Sequence, residues 1–497
     1  MAESPLILAI DAGSFSVRCT LFGLDGAAIA DSARRVEHRT PATDWHEQDA
    51  EQIWAALLDA LAALVSMHDF AQVAVVGLTN QRGTCLLWDR ATGEPLGPAI
   101  FWSDRRMEPF VAALRDAGHA LLVQVTTGAP LHSFYSAPKL RWMLDNLAGA
   151  GGLLAVGQLA AGTLDSWLLW KLSGGQVHAT DYSNAQRTLL LKLATLDWAP
   201  ELARLFSVPI DILPEIRPGA GAWGTTAVPR EARLRAPIGA IAGDQTAALV
   251  GHGALEPGAT KCSYGASVVP MMFCGPRPVG AREGLATIAY DSGGAVAYGV
   301  GFTIAGGALA LEWCCTRLGA FASVEELVAL AVNAPGDESV IFVPAFAGLT
   351  APLRDPSARA AILGLHMAAD RSTIARAALE SIAFQVVDAL ARMQEVSGIR
   401  VTRLLADGGL ARSDLLMQIQ ADLLGIAVER PAQGELASLG IAYLAARGAG
   451  LPVDEGFLGR GRGTMRTFAP RLDEASRQRR MALWHTGVER ATGWAKG

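Results

Sequence analysis

Residues 6–10, Leu-Ile-Leu-Ala-Ile, form an unbroken apolar run, the pattern of a strand covered on both faces. The run halts at Asp11-Ala12-Gly13-Ser14, resumes over residues 17–22 and turns again at Leu24-Asp25-Gly26, which predicts a hairpin. Over residues 50–66 the apolar positions Ile53, Leu57, Leu61 and Leu64 fall on one helical stripe. Residues 73–78 read as a buried strand that runs into Thr79-Asn80-Gln81-Arg82-Gly83, and residues 84–88 as another. The same pattern returns after the midpoint. An apolar run over 238–242 ends at Gly243-Asp244-Gln245 and leads into a helical stretch, 246–251. Residues 260–273 predict two strands around Ser263-Tyr264-Gly265-Ala266-Ser267. Residues 401–406 end at Asp407-Gly408-Gly409, which opens an amphipathic helix over about 413–424.

Both halves thus open with a hairpin whose turn carries Gly and Ser, and Gly13 and Gly265 stand about half the chain apart. Alternating strands and helices predict α/β layers in each half. The expected division is an N-terminal domain, 1–247, and a C-terminal domain, 248–497. Ligands of such folds sit at the carboxyl ends of strands, where Asp11, Asp244 and Asp407 stand.

Composition narrows the class. With 497 residues, 51% hydrophobic and 18% charged, the chain suits two or three packed domains and excludes general disorder. A net charge of −6 argues against nucleic acid as partner. The six cysteines show no Cys-x-x-Cys spacing, so a disulfide framework or zinc ribbon is not expected. The first apolar run is too short for a signal-peptide core or a bilayer span, and it lacks a basic flank. The expectation is a soluble, cytoplasmic protein with no membrane insertion.

Several chemistries are closed. No lysine follows a glycine, so there is no P-loop, and neither His-Glu-x-x-His nor Gly-x-Ser-x-Gly occurs. A Gly-x-Gly-x-x-Gly at Gly219, Gly221 and Gly224 has neither the preceding strand nor the following helix that a dinucleotide site needs. What remains is acids and glycines at strand ends. The turn Asp11, Gly13, Ser14, Ser16 offers amides and hydroxyls that suit phosphate oxygens, and Asp11 would need a cation such as Mg²⁺ between it and them. The same residues would also suit an ordinary hairpin turn. Gly265 lies in the matching turn, and Gly408-Gly409 would let a ligand approach a helix N-terminus. Asp244 beside Gln245 suits proton abstraction from a hydroxyl, or a plain helix N-cap. Arg82 offers a fork of donors for oxygen atoms. Trp102 suits either a ligand platform or the core.

These segments, in this order over about residues 7–447, resemble the FGGY carbohydrate kinases, and most closely their glycerol-phosphorylating members. The motifs are Asp11-Ala12-Gly13-Ser14, Gly77-Leu78-Thr79-Asn80-Gln81-Arg82, Phe101-Trp102-Ser103-Asp104-Arg105-Arg106, Gly162-Thr163-Leu164-Asp165-Ser166-Trp167 and Thr180-Asp181-Tyr182-Ser183-Asn184-Ala185. Gly243-Asp244-Gln245, Pro344-Ala345-Phe346 through Asp355-Pro356, Glu380-Ser381-Ile382-Ala383 and Asp407-Gly408-Gly409-Leu410-Ala411-Arg412-Ser413 complete them. The resemblance implies two actin-like (ribonuclease-H-like) α/β domains with a nucleotide cleft between them. It implies transfer of the γ-phosphoryl group of ATP, with Mg²⁺, to a primary hydroxyl of a small polyol or sugar, glycerol first. It makes Asp244 the general base and Asp11 the metal-holding residue. It assigns Gly13, Ser14, Ser16, Arg18, Gly265, Ala266, Gly408, Gly409 and Ser413 to the nucleotide, and Arg82, Trp102, Phe134, Asp244 and Gln245 to the acceptor. Assembly as a homodimer or homotetramer is left open.

Departures from the glycerol pattern lie in the acceptor pocket. Gly83 stands where those members carry Glu, Phe134 where they carry Tyr, and Val269 where they carry an aromatic; Phe15 and Ala266 replace threonines in the two phosphate turns. Two alternatives follow: a kinase for a larger acceptor such as a tetritol or ketose, and a weakly active regulatory member. Residues 227–236 lack the Gly-rich, Arg-containing regulatory loop and the histidine of some relatives.

Overall fold

The computed structural model describes residues 5–496 apart from 229–233, 335–338, 347, 350–352, 354 and 455. Parts of the segment 227–236, read above as lacking a regulatory loop, and of the motif between Pro344 and Pro356 therefore lie outside the described residues. Two compact units emerge. The first comprises Met1–Leu255, Gly275–Gly299 and Glu435–Arg462, and the second Glu256–Cys274, Val300–Gly434 and Gly463–Gly497. The expected boundary at residue 247 falls inside a helix, Asp244–Gly251, which the chain completes before leaving the first unit.

In the first unit, strands β1 (Leu6–Ala12), β2 (Ser16–Phe22), β3 (Ala28–Arg35), β4 (Val73–Asn80) and, after a separate strand β5 (Cys85–Asp89), β6 (Ile238–Gly243) build one sheet. Its order is β6-β4-β1-β2-β3. β1, β2 and β3 pair antiparallel, whereas β4 and β6 lie parallel to β1. The apolar run of β1 divides by parity. Leu8 and Ile10 join the core under helix α1 (Ala50–Val65), with Ile53, Leu57, Leu61 and Leu64, while Ile7 and Ala9 face the opposite core. That second core is closed by helix Leu436–Gly448, which returns from far along the chain with Ile441, Ala442, Leu444 and Ala445. α1 starts where Asp49 accepts from the amides of Glu51 and Gln52.

The returning helix also lies against the helix Asp244–Gly251. A Cβ on Gly440 would sit 1.9 Å from the Ala247 carbonyl, and one on Gly251 would sit 2.0 Å from the Leu436 carbonyl. Backbones this close leave no room for a side chain on either helix.

In the second unit, β7 (Ala259–Tyr264), β8 (Val268–Gly275), β9 (Arg403–Asp407), β10 (Val428–Pro431) and β11 (Met465–Phe468) follow the order β8-β7-β9-β10-β11. An antiparallel hairpin followed by a parallel neighbour, β7-β8 then β9, repeats the β1-β2 then β4 scheme. Leu404, Leu405 and Ala406 of β9 are buried, as are Leu416, Met417 and Ile419 of the helix Asp414–Leu424. The expected direct entry from Gly408-Gly409 into that helix is corrected: a single 3₁₀ turn, Leu410–Arg412, intervenes, and Ser413 caps the α-helix. A three-residue strand, Glu215–Arg217, does precede the Gly219 motif, but no helix follows directly among the described residues, and the Gly219 amide donates to Asp291 at 2.5 Å. All six cysteines are unpaired, five of them buried. Among the described residues, no helix is long and apolar enough to cross a membrane.

The helix contact yields a test. Gly440→Ala is expected to destabilise the protein by about 1–3 kcal/mol or more through overpacking, while Gly459→Ala, which meets nothing within 4 Å, stays near wild type. Urea unfolding of both variants checks this; equal midpoints would contradict the contact.

Candidate active site

Register places the loops of the first unit. Ala12 of β1 pairs with Asn80 of β4, and Asn80 pairs with Gly243 of β6, so the loops after these parallel strands leave one edge of the sheet together. Asp11, Arg82 and Asp244 stand there.

Asp244 opens its helix, with Gly243 rather than Asp244 as the N-cap residue. One carboxylate oxygen accepts from the Gln245 amide at 2.7 Å and the other from Gln245 Nε2 at 3.1 Å. Arg82 Nε lies 3.2 Å from Oδ1. Burial and the nearby Arg187 pull the Arg82 guanidinium down to about 10, against the pull of Asp244, so it remains charged at neutral pH. A buried network holds the strand end behind Asp244. The Gly243 amide donates to Ser183 Oγ at 2.9 Å, and Ser183 Oγ donates to Asp181 at 2.5 Å. Asn184 bridges Asp181 at 2.8 Å and Asn80 at 3.0 Å. Burial, and then the charge of Asp165, push Asp181 up to about 7.

The Gly13–Ser16 turn has a distinctive arrangement. The carbonyls of Ser14, Phe15 and Ser16 accept from Gln48 Nε2, the Val36 amide and the Gly13 amide at 2.8, 3.0 and 3.0 Å. Among the described residues the amides of Ser14 and Phe15 donate to nothing. The Gly265–Ser267 turn repeats this. Its carbonyls accept from the amides of Ala308, Leu309 and Gly265, and the amides of Ala266 and Ser267 have no acceptor among the described residues. Carbonyls turned inward and amides left outward make an anion cradle. Phe15 is 56% exposed on the first turn.

Asp11 sits opposite Arg18 across the hairpin, and its carboxyl is pushed up to about 7. Burial is the largest cause, followed by the charges of Asp244 and Glu435, with Arg18 opposing. Arg18 does not stand free for a nucleotide: it pairs with Asp31 and, at 3.3 Å, with Glu435.

The residues that the sequence assigns to the acceptor lie close together. Trp102 donates from Nε1 to Ser14 Oγ at 3.1 Å, tying the first turn to the aromatic wall. The rings of Trp102 and Phe134 meet edge to face at 6.3 Å. Gly83 is buried with φ of +80°, and a Cβ there would meet the Phe134 carbonyl at 3.4 Å and Trp102 Cβ at 3.8 Å. Glycine adopts that backbone without strain as well as leaving volume. In the second unit, Gly408 has φ of +90° and no room for a Cβ, which would lie 2.6 Å from the Tyr264 carbonyl. A cavity of about 290 Å³ opens beside it, lined by Asp407, Gly408, Arg412, Arg430 and Gly434 among others. Ser413 Oγ accepts from the Leu416 amide at 3.3 Å, so its hydroxyl also has a structural task, and a Cβ on Gly409 would meet nothing within 4 Å. Val269 lies on β8 of the second unit.

Sequence reasoning missed two contributors. Gln48 receives Gln81 Nε2 at 2.6 Å while holding the Ser14 carbonyl, which links the Arg82 loop to the first turn. Lys139 donates to three carbonyls, those of Gly83, Phe101 and Trp102, in the loops that carry Arg82 and Trp102. A lysine among buried neighbours on helix α2 (Ser136–Asn146) was the available signal.

Residues 6–251 match the FGGY family of carbohydrate kinases, N-terminal domain, and residues 260–449 match its C-terminal domain. The chain belongs to the FGGY family of carbohydrate kinases, ATP-dependent enzymes of two actin-like domains. Glycerol kinases of Alkalilimnicola ehrlichii and Geobacter sp. are 42% and 41% identical to it, each over 99% of both chains. A crystal structure of Plasmodium falciparum glycerol kinase with ADP superposes with a TM-score of 0.91 at 28% identity over 98% of each chain. Gluconate kinase from Lactobacillus acidophilus shares the fold at a TM-score of 0.85 and 21% identity, over 99% of this chain and 100% of that one.

The raised Asp11 carboxyl makes a stability prediction. A carboxyl whose folded pKa is near 7, above its unfolded value, stabilises the fold most at low pH, and that contribution is lost as pH rises through about 7. Asp11→Asn removes the loss. Without ligands the variant should be about 1–3 kcal/mol more stable than wild type at about pH 8, and closer to it at about pH 5. Denaturant titration at both pH values checks this; a variant less stable at the higher pH contradicts it.

Proposed function

We propose that the protein transfers the γ-phosphoryl group of ATP to a primary hydroxyl of glycerol, giving glycerol 3-phosphate and ADP. The observation that carries this reading is the Asp244 carboxylate at the strand end, held by Gln245 and paired with Arg82. A carboxylate whose geometry is fixed in advance accepts the hydroxyl proton as the oxygen attacks phosphorus. Arg82 pairs with Asp244 at 3.2 Å and offers its remaining N–H groups to the polyol oxygens. Trp102 and Phe134 face the carbon edge of the acceptor. The Gly13–Ser16 turn, with Ser14 and Ser16, holds phosphate oxygens. In the second unit Gly265, Ala266, Gly408, Gly409 and Ser413 serve the rest of the nucleotide. Arg18 acts indirectly, by balancing Asp11.

The donor set suits Mg²⁺. Among the described residues there is no cluster of three or more metal-ligating His, Cys, Asp or Glu. Asp11 lies beside the negative charges of Asp244 and Glu435, which a cation would offset, and one carboxylate with waters and substrate phosphates is the usual Mg²⁺ environment. When bound, the ion neutralises phosphate charge and orients the phosphates.

A second reading, a larger acceptor, is favoured by one observation: Gly83 leaves no carboxylate beside Trp102 and Phe134. Glycerol stands first because the relatives alike over the whole chain are glycerol kinases, whereas the gluconate kinase shares only the fold. The test is acceptor-dependent ADP release with glycerol, tetritols, ketoses and gluconate. Glycerol should give the highest kcat/KM, and Asp244→Asn should lower kcat by about 10²–10⁴-fold with the fold retained. A variant keeping more than about a tenth of wild-type turnover removes Asp244 as the base.

A further inference from the structure

Lys139 is fully buried, yet the chemistry proposed above does not use it. It lies on the inner face of α2, and its Nζ donates to the carbonyls of Gly83, Phe101 and Trp102 at 3.0, 3.0 and 3.2 Å. Ser136 Oγ adds a second donor to the Gly83 carbonyl at 3.2 Å. These carbonyls belong to the two loops that carry Arg82 and Trp102.

The charged and titratable groups facing the ammonium are Cys85, Asp104, Arg106 and Arg187. Burial pushes the Cys85 thiol up to about 11, so it is neutral under ordinary conditions. The Asp104 carboxylate is occupied by Arg106, at 3.0 Å from Nε and 2.9 Å from Nη2, and by the His46 amide at 2.7 Å. Arg106 also pairs with Glu47 and lies over the rings of both Trp45 and Trp142, 4.1 and 4.4 Å from their centroids. Arg187 lies over Tyr135. The ammonium is therefore held chiefly by carbonyl dipoles, with two guanidinium groups nearby. Burying an ammonium is costly, and an apolar side chain of similar length would avoid that cost only by leaving these carbonyls without the lysine's donors. The gain from retaining the charge is three donors matched to three acceptors.

We propose that Lys139 is the positioning residue of the acceptor site: its ammonium pins the Gly83, Phe101 and Trp102 carbonyls and so fixes the spacing between Arg82 and the Trp102 wall. This inference rests on the acceptor-site reading above. An ammonium has three N–H donors and serves all three carbonyls; a neutral amine has two and turns its lone pair on the third. Burial and the two arginines lower Lys139 to about 8, so the switch falls within the assay range. Charge, and with it acceptor positioning, is complete below that value and is lost as pH rises through it.

Steady-state kinetics of wild type and Lys139→Met from about pH 6.5 to about pH 9.5 test this. Wild-type KM for the acceptor should rise about tenfold across the range, with kcat changing no more than about twofold. In Lys139→Met, KM should be raised already at neutral pH and should no longer respond to pH near 8. A purely structural lysine would lower the unfolding midpoint of the variant without this KM inflection. The chain has only five lysines, Lys139, Lys171, Lys192, Lys261 and Lys496, so NMR of isotope-labelled lysine side chains provides a readout independent of turnover. The Lys139 signal should titrate near 8 and move on adding acceptor; titration at the ordinary value of about 10.4 would overturn the inference even if the Met variant fails to fold. Turnover with a flat wild-type KM would overturn the Lys139 role alone. Absence of turnover with every polyol would remove the acceptor-site reading and the Lys139 role with it.

Discussion

The ion pair between Arg82 and Asp244 is the interaction on which the rest of the site depends. It forms because β4 and β6 are parallel neighbours and Asn80 pairs with Gly243, which brings both loop entries to the same edge of the sheet. Parallel pairing needs a long crossover, and the chain between Arg82 and Asp244 builds the Trp102–Phe134 aromatic wall and the buried Asp181 network within that crossover. Asp11 joins the same edge from β1 and feels Asp244 and Glu435 as like charges. The site is thus short of positive charge at the point where phosphate and cation are expected. Such a deficit destabilises the empty protein and favours a bound cation, a common compromise at functional sites.

The two halves use one solution twice. Each hairpin turn directs its carbonyls to internal donors and leaves two amides without partners among the described residues. The internal donors differ: Gln48 and Val36 in the first turn, and the first amides of a helix, Ala308 and Leu309, in the second. The repetition therefore lies in backbone arrangement, which explains why residues as different as Phe15 and Ala266 occupy these turns.

Much of this was legible in the sequence because strands buried on both faces leave unbroken apolar runs, and the acids that end them stand out. The hairpins, α1, β4, β6 and the helix after Ser413 follow from period and punctuation alone. Helix Leu436–Gly448 carries no local sign that it packs in the first unit, since its partners, Val75, Ala240 and Ala247 among them, lie far away in the chain. The roles of Gln48, Ser183 and Lys139 were hidden for the same reason. Each acts through a hydrogen bond between residues 33 to 60 positions apart, which no periodicity records. Gly83 showed itself only as a missing side chain; its left-handed backbone emerges from the fold. The 3₁₀ turn after Gly409 escaped because three residues are too few to impose a period.

The central claim is that the acceptor hydroxyl meets Asp244 and Arg82. A crystal structure of the protein with glycerol and ADP measures this directly. A glycerol hydroxyl oxygen is expected within about 3 Å of the Asp244 carboxylate, with a second within the same distance of the Arg82 guanidinium. Well-ordered glycerol bound elsewhere in the first unit, with Asp244 and Arg82 still paired only to each other, would contradict it.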